Sequence, residues 1–158
     1  MKSIKVLSTL FICLLIPLAI GGISGFATAT SITDWYVTLN KPTFNPPNYL
    51  FAPVWTLLYL LMGVSLFTIW KSPIGQTRTN ALLIFAIQLI FNFIWSFLFF
   101  RFNLLAFALV EIVMLWISIL LMIIFFKRIS KLAAFLQVPY LLWVTFATIL
   151  NAAIWILN

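Results

Sequence analysis

Three tryptophans of this chain keep similar company. Trp55 is followed by Tyr59, Met62 and Gly63, Trp95 stands with Gln88, Asn92 and Ser96, and Trp143 lies between Tyr140 and Ala147, with Asn151 beyond. The spacings within each group put its members on one face of a helix. An indole beside an amide or hydroxyl offers a flat apolar surface and a few fixed hydrogen-bonding groups, the composition of a small-molecule pocket. Gln88 and Ser96 also have a plainer use as interhelical hydrogen bonds, worth about 0.6–2 kcal/mol each in lipid. An aromatic stripe on one helix is ordinary packing. Three faces of the same make-up argue for a shared pocket.

Other chemistry is excluded by what the chain lacks. There is no His, and the only acids are Asp34 and Glu111. A Ser-His-Asp triad and a His metal site are ruled out. With the two acids far apart in the chain, a glycosidase-type carboxylate pair is not expected either. Cys13 is alone, which precludes an intrachain disulfide. No metal site and no required cofactor are expected. Glu111 falls inside an apolar run, where an acid is a functional candidate by default. It reads either as the proton- and cation-binding group of a small transporter or as a hydrogen-bonded tie between helices, with Arg101 one candidate partner.

The elements that must carry these faces follow from composition. The 158 residues are 65% hydrophobic and 7% charged, against about 25% charged in a soluble domain. Five apolar runs, at about 6–26, 50–70, 81–100, 104–126 and 132–157, are each long enough to cross a bilayer as a helix. Period-2 alternation is absent, so a barrel is not expected. The expectation is one all-α integral membrane domain over residues 1–158, a five-helix bundle. Lys2, Lys5, Lys71, Arg78, Lys127, Arg128 and Lys131 fall on one side of it, and Lys41 and Arg101 on the other. That bias predicts the N-terminus inside and the C-terminus outside, and it accounts for the net charge of +7 without nucleic acid. A competing reading takes Lys2, Lys5, the first apolar run and Ala27-Thr28-Ala29 as a secretory signal. The run is long for one, and Gly21 and Gly25 suit a retained, packed helix.

Residues 28–49 form the one sizeable predicted loop, with Trp35, Tyr36, Lys41, Pro42, Phe44, Pro46 and Pro47. Its aromatics, with Tyr49, read either as headgroup anchors or as part of a proline-stiffened lid. At about 1.5 Å per residue, Trp55 lies about 7–8 Å from the loop-side end of its span and Trp95 and Asn92 about 7–12 Å from theirs. Ala147 lies about 10–15 Å from the end of the fifth span, and Trp143 deeper. The three faces can therefore meet under the loop.

The runs Trp35-Tyr36-x-x-Leu39-x-Lys41-Pro42-x-Phe44-x-Pro46-Pro47, Pro53-Val54-Trp55-x-x-x-Tyr59-x-x-Met62-Gly63, Gln88-Leu89-x-x-Asn92-x-x-Trp95-Ser96-x-x-Phe99-Phe100 and Pro139-Tyr140-Leu141-x-Trp143-x-x-Phe146-Ala147-x-x-Leu150-Asn151 resemble the TspO/MBR family of tryptophan-rich sensory and translocator proteins. The resemblance covers nearly the whole chain in order. It implies a five-helix bundle, commonly a homodimer, with a cavity under the first long loop. It implies porphyrin, haem, sterol and isoquinoline carboxamide-type ligands, and light-dependent breakdown of protoporphyrin IX in some bacterial members. The tryptophans tied to that activity match Trp55 and Trp143, and drug-pocket positions match Asn92, Trp95, Trp143, Ala147 and Leu150.

The chain departs from the family at three places. Phe44 stands where the loop motif usually has Trp. No Tyr followed by a basic residue comes after Leu150, as the sterol motif requires. Glu111 replaces a common Asp. A porphyrin, flat and bearing carboxylates, suits stacking on Trp with Lys41 near a propionate, and without His no imidazole ligates haem iron. The expected site comprises Trp35, Lys41, Phe44, Pro47, Trp55, Tyr59, Gln88, Asn92, Trp95, Tyr140, Trp143, Ala147 and Leu150. Trp55 and Trp143 are the photochemical candidates and protoporphyrin IX the ligand. A transporter using Glu111, a sterol-binding translocator and a structural or signalling scaffold are the alternatives. The charge bias suits a bacterial cytoplasmic membrane.

Overall fold

A computed structural model describes residues 2–158, with side chains from Ile4 onward. Met1, and the side chain of Lys2 that was counted among the orienting charges, lie outside the described residues. The helices are α1 (Lys2–Asp34), α2 (Phe51–Trp70), α3 (Gln76–Ser96), α4 (Leu105–Lys127), α5 (Lys131–Phe135) and α6 (Val138–Leu157), and the described residues contain no strand. With their flanking turns they make five segments long and apolar enough to cross a membrane. The protein is thus an all-α, multi-pass bundle. In lipid a helix satisfies its own backbone groups, and Leu57, Leu60, Val110, Val113 and Ile117 accordingly face outward. Met62, Ile69, Ile112, Ile119, Phe126 and Val144 fill the core. α1 packs on α2, α3 on α4, and α4 on α6.

Two expected boundaries need correction. The first helix does not stop near residue 26 but runs to Asp34, so residues 28–34 of the expected loop are helical. The Ser/Thr-rich stretch looks like loop, yet its hydroxyls bond back onto their own helix. Ser24 Oγ donates to the Ile20 carbonyl at 2.6 Å and Thr28 Oγ1 to that of Ser24 at 2.7 Å. The fifth span is not one helix but two, α5 and α6, parted at Leu136–Gln137. Ser130 Oγ caps α5 by accepting from the Ala133 N–H at 3.2 Å. Pro139, which has no N–H to give, sits in the first turn of α6. The Gln137 side chain turns inward and donates to Ser65 Oγ at 2.7 Å, tying the break to α2. Smaller shifts occur elsewhere, as α3 begins at Gln76 and ends in a π-helical turn, Phe97–Arg101. There the Phe102 N–H reaches back to the Phe97 carbonyl at 2.9 Å. Asn103, at φ 58°, supplies the left-handed residue that ends the turn.

α1 and α2 approach closely at one point. Pro17 lies inside α1 and removes the N–H that would bond the Cys13 carbonyl. Gly63 of α2 lies against that point: a Cβ there would stand 2.7 Å from Leu14 Cα and 2.9 Å from the Cys13 oxygen. Both are backbone atoms, so any side chain pushes the helices apart. Gly63→Ala is therefore expected to lower stability by about 1–3 kcal/mol, measured as the unfolding midpoint in detergent. Gly25→Ala is the matched control, because its Cβ meets nothing within 4 Å. Equal midpoints for the two variants would contradict the close contact.

Candidate functional site

A cavity of about 520 Å³ opens in the loop-side half of the bundle, between α1, α2, the end of α3 and α6. Trp55, Tyr59, Trp95, Trp143, Ala147 and Leu150 all line it. Their rings are held by their neighbours. Trp55 stacks on Tyr59, one turn on, with centroids 5.4 Å apart and planes at 26°, and meets Tyr140 edge-on at 6.1 Å. Trp143 tilts against Phe146 at 5.5 Å and takes the edge of Phe51 at 6.1 Å. Such aromatic pairs add about 0.5–1.5 kcal/mol each beyond area burial. Trp95 lies on Phe99 at 5.3 Å, and its indole N–H donates to Asn151 Oδ1 at 3.2 Å. The amide of Asn151 donates in turn to the Leu105 carbonyl at 3.1 Å. Among the described residues, no charged side chain lines the cavity.

Gln88, Asn92 and Tyr140 share the expected face but stand behind the wall rather than in it. The Tyr59 hydroxyl donates to Asn92 Oδ1 at 2.7 Å. The Asn92 amide donates to the Tyr140 hydroxyl at 3.0 Å, and that hydroxyl to Gln88 Oε1 at 3.0 Å. This chain joins α2, α3 and α6 at the base of the cavity. Gly21 completes the base from α1, where a Cβ would collide with the Tyr59 ring. Glu111 is buried, and neither carboxyl oxygen has a partner among the described residues. Arg101 lies exposed and does not pair with it. The ion pair between them is therefore not formed.

The loop residues cover the cavity from outside it. Trp35 meets Phe99 edge-on at 5.9 Å, and Phe44 meets Phe146 at 6.4 Å. The Lys41 ammonium sits 4.8 Å over the ring of Tyr36, and the Tyr36 hydroxyl donates to Asn45 at 2.7 Å. Pro47 is exposed and leads into the single turn before α2. None of these four expected residues lines the cavity, whereas the buried Tyr36 does. Asn40 and Asn158 exchange two bonds of 2.9 Å, which fasten the loop to the end of α6.

The α1 wall was not anticipated. Gly21, Gly22, Ser24, Gly25, Thr28 and Ala29 line the cavity. These residues carry no reactive group, and their signal in the sequence is only a small or hydroxylated residue at each helical turn. Phe51, Phe99, Phe146 and Asn151, absent from the expected site, also line it.

Fold and site together define a polytopic helical membrane protein with an internal cavity walled by aromatic rings. The pattern that defines the TspO/MBR family matches residues 13–156. The chain is 42% identical over 155 residues to "Tryptophan-rich protein TspO" of Chlorobaculum tepidum, covering 98% of each chain. It is 44% identical over 146 residues to the protein of the same name from Archaeoglobus fulgidus, covering 92% of this chain and 94% of that one. It is 34% identical over 139 residues to the "Translocator protein" of Sus scrofa, covering 84% and 82%. The chain belongs to the TspO/MBR family and is an integral, multi-pass membrane protein.

The hydrogen-bonded base gives a direct expectation. Tyr59→Phe leaves the buried Asn92 oxygen without its donor, which costs about 1–3 kcal/mol. The difference is read from unfolding midpoints in detergent. An unchanged midpoint would mean that this bond does not hold the base together.

Proposed function

We propose that the protein binds a tetrapyrrole, with protoporphyrin IX the leading candidate, in the cavity beneath the 35–50 loop. Membership of the family supports a membrane ligand-binding or transport role. The observation that carries the finer reading is the cavity itself, with Trp55, Trp95 and Trp143 all on its wall and no charged group among the described residues inside it. A flat conjugated macrocycle gains from stacking on such rings, and a volume of about 520 Å³ falls in the range of small-molecule sites. The propionates would need to emerge at the loop side, since nothing inside offsets their charge. Lys41, turned onto Tyr36, would have to swing over to meet one. The chain has no His, so a metal-free porphyrin suits the site better than haem iron held by imidazole. The reading needs no resident cofactor. Isoquinoline carboxamide-type aromatics fit the same wall.

Light-dependent breakdown of the bound porphyrin is a second layer of the proposal. One electron would pass from Trp55 or Trp143 to the excited porphyrin, giving an indole radical cation, which loses its N–H proton, and a porphyrin radical anion. Dioxygen, reduced to superoxide by that anion, is the oxidant that breakdown of the macrocycle consumes. The bacterial relatives fit a cytoplasmic membrane as the setting.

Titration with protoporphyrin IX in the dark is expected to quench tryptophan fluorescence saturably. Trp55→Phe and Trp143→Phe should each weaken binding by roughly 2- to 10-fold, the equivalent of about 0.5–1.5 kcal/mol of lost aromatic contact. Superimposable curves for wild type and the double variant would remove the assignment. A light-minus-dark absorbance change that survives in the double variant would remove the photochemical layer alone.

The buried, unpartnered Glu111 favours one other reading, transport coupled to a proton. In vesicles loaded with substrate, Glu111→Gln is expected to abolish flux on that reading and to leave equilibrium binding intact on the first.

A further inference from the structure

α1 and α2 run antiparallel and do not stay equally close. Away from the loop they touch at Gly63, whose Cβ would collide with the α1 backbone, and midway at Gly21, whose Cβ would collide with the Tyr59 ring. Toward the loop the space beside two α1 positions is open. A Cβ built on Gly22 or Gly25 meets no atom within 4 Å. Gly22, Gly25 and Ala29 on α1 are exposed, as are Ala52 and Thr56 on α2, and all five also line the cavity. Residues that border the cavity and the outside at once mark its mouth. From Gly22 to Ala29 this mouth is about 10 Å long at 1.5 Å per residue. Around it stand Ile23, Phe26 and Leu57, each more than half exposed. Large apolar side chains of that kind, on helices that cross a membrane, are covered by acyl chains. The mouth therefore opens on lipid.

The other way in is covered. The loop is fastened to α6 by the Asn40–Asn158 pair, closed on itself by Tyr36 and Asn45, and seated by Phe44 on Phe146. We propose that the gap between α1 and α2 is a lateral portal, through which a flat apolar molecule dissolved in the bilayer passes edge-on into the cavity. The two glycines keep the slot free of side chains, and the contact at Gly63 fixes the point from which the helices part. The proposal rests on the reading of the cavity as a site for a membrane-borne ligand.

The test uses the full chain in lipid vesicles with Cys13→Ala and Ala147→Cys, which places one thiol on the cavity wall. N-pyrenylmaleimide dissolved in the bilayer is compared with a sulfonated maleimide kept in the water. Gly25→Phe is expected to slow labelling by the bilayer reagent at least about tenfold, and to slow both association and dissociation of protoporphyrin IX. Thr56→Trp narrows the slot from the facing helix and should do the same if Gly25→Phe does not fold. Unfolding midpoints identify the folded variants. Unchanged bilayer labelling in both variants overturns the portal, and with unchanged porphyrin binding it leaves the binding reading standing. Blocked labelling in a chain that never binds porphyrin supports the portal and overturns the porphyrin reading instead.

Discussion

The bond from the Tyr59 hydroxyl to Asn92 is the constraint on which the rest of the molecule leans. In a bilayer a polar side chain that finds no partner inside the bundle finds none at all. Asn92 is buried near the loop-side end of α3 and is satisfied by groups on two other helices, accepting a hydrogen bond from Tyr59 on α2 and donating one to Tyr140 on α6. The orientation of each donor fixes the next. Because Tyr59 is held by its hydroxyl, its ring is fixed as a shelf for Trp55. Because the ring is fixed, α1 can close over it only where it has no side chain, at Gly21. The cavity lies above that depth, where three helices are pinned together and α1 presents small residues to the space between them.

That arrangement separates two kinds of polar residue that look alike in the sequence. Asn92, Tyr140 and the side-chain oxygen of Gln88 bond one another below the cavity, while Gln88 Nε2 has no partner among the described residues. Trp95 and Asn151 spend their polar groups on the wall and on α4. What faces the cavity is mostly ring surface and small residues. Recognition there comes from shape and stacking more than from directed bonds, which suits a flat ligand drawn from a hydrophobic phase. Glu111 stands apart, buried and without a partner for either carboxyl oxygen among the described residues.

The sequence made the five spans legible, because apolar runs of that length have few other uses. Helical spacing also placed the three Trp faces toward one another correctly enough that Trp55, Trp95 and Trp143 meet around one space. The end of α1 was not legible, because a Ser/Thr-rich segment resembles a loop until its hydroxyls are seen to bond their own helix. The break before α6 left only Pro139 as a trace, and a proline in a first helical turn is compatible with an unbroken span. The α1 wall was missed for a different reason. Glycine contributes to a cavity by what it leaves out, and a search for reactive side chains passes over it. Nothing in the spacing of Lys41 and Phe44, expected on a lid over the site, says which way a loop residue turns, and Tyr36 and Phe146 hold them where they are.

The central claim is that a flat macrocycle occupies the space between Trp55 and Trp143. The most direct measurement is a density map of the protein in lipid, prepared in the dark with protoporphyrin IX. Planar density inside the cavity, in contact with both indoles and with its carboxylate edge toward the loop, is the result expected. An empty cavity with porphyrin density only on the outer faces of the helices would contradict it.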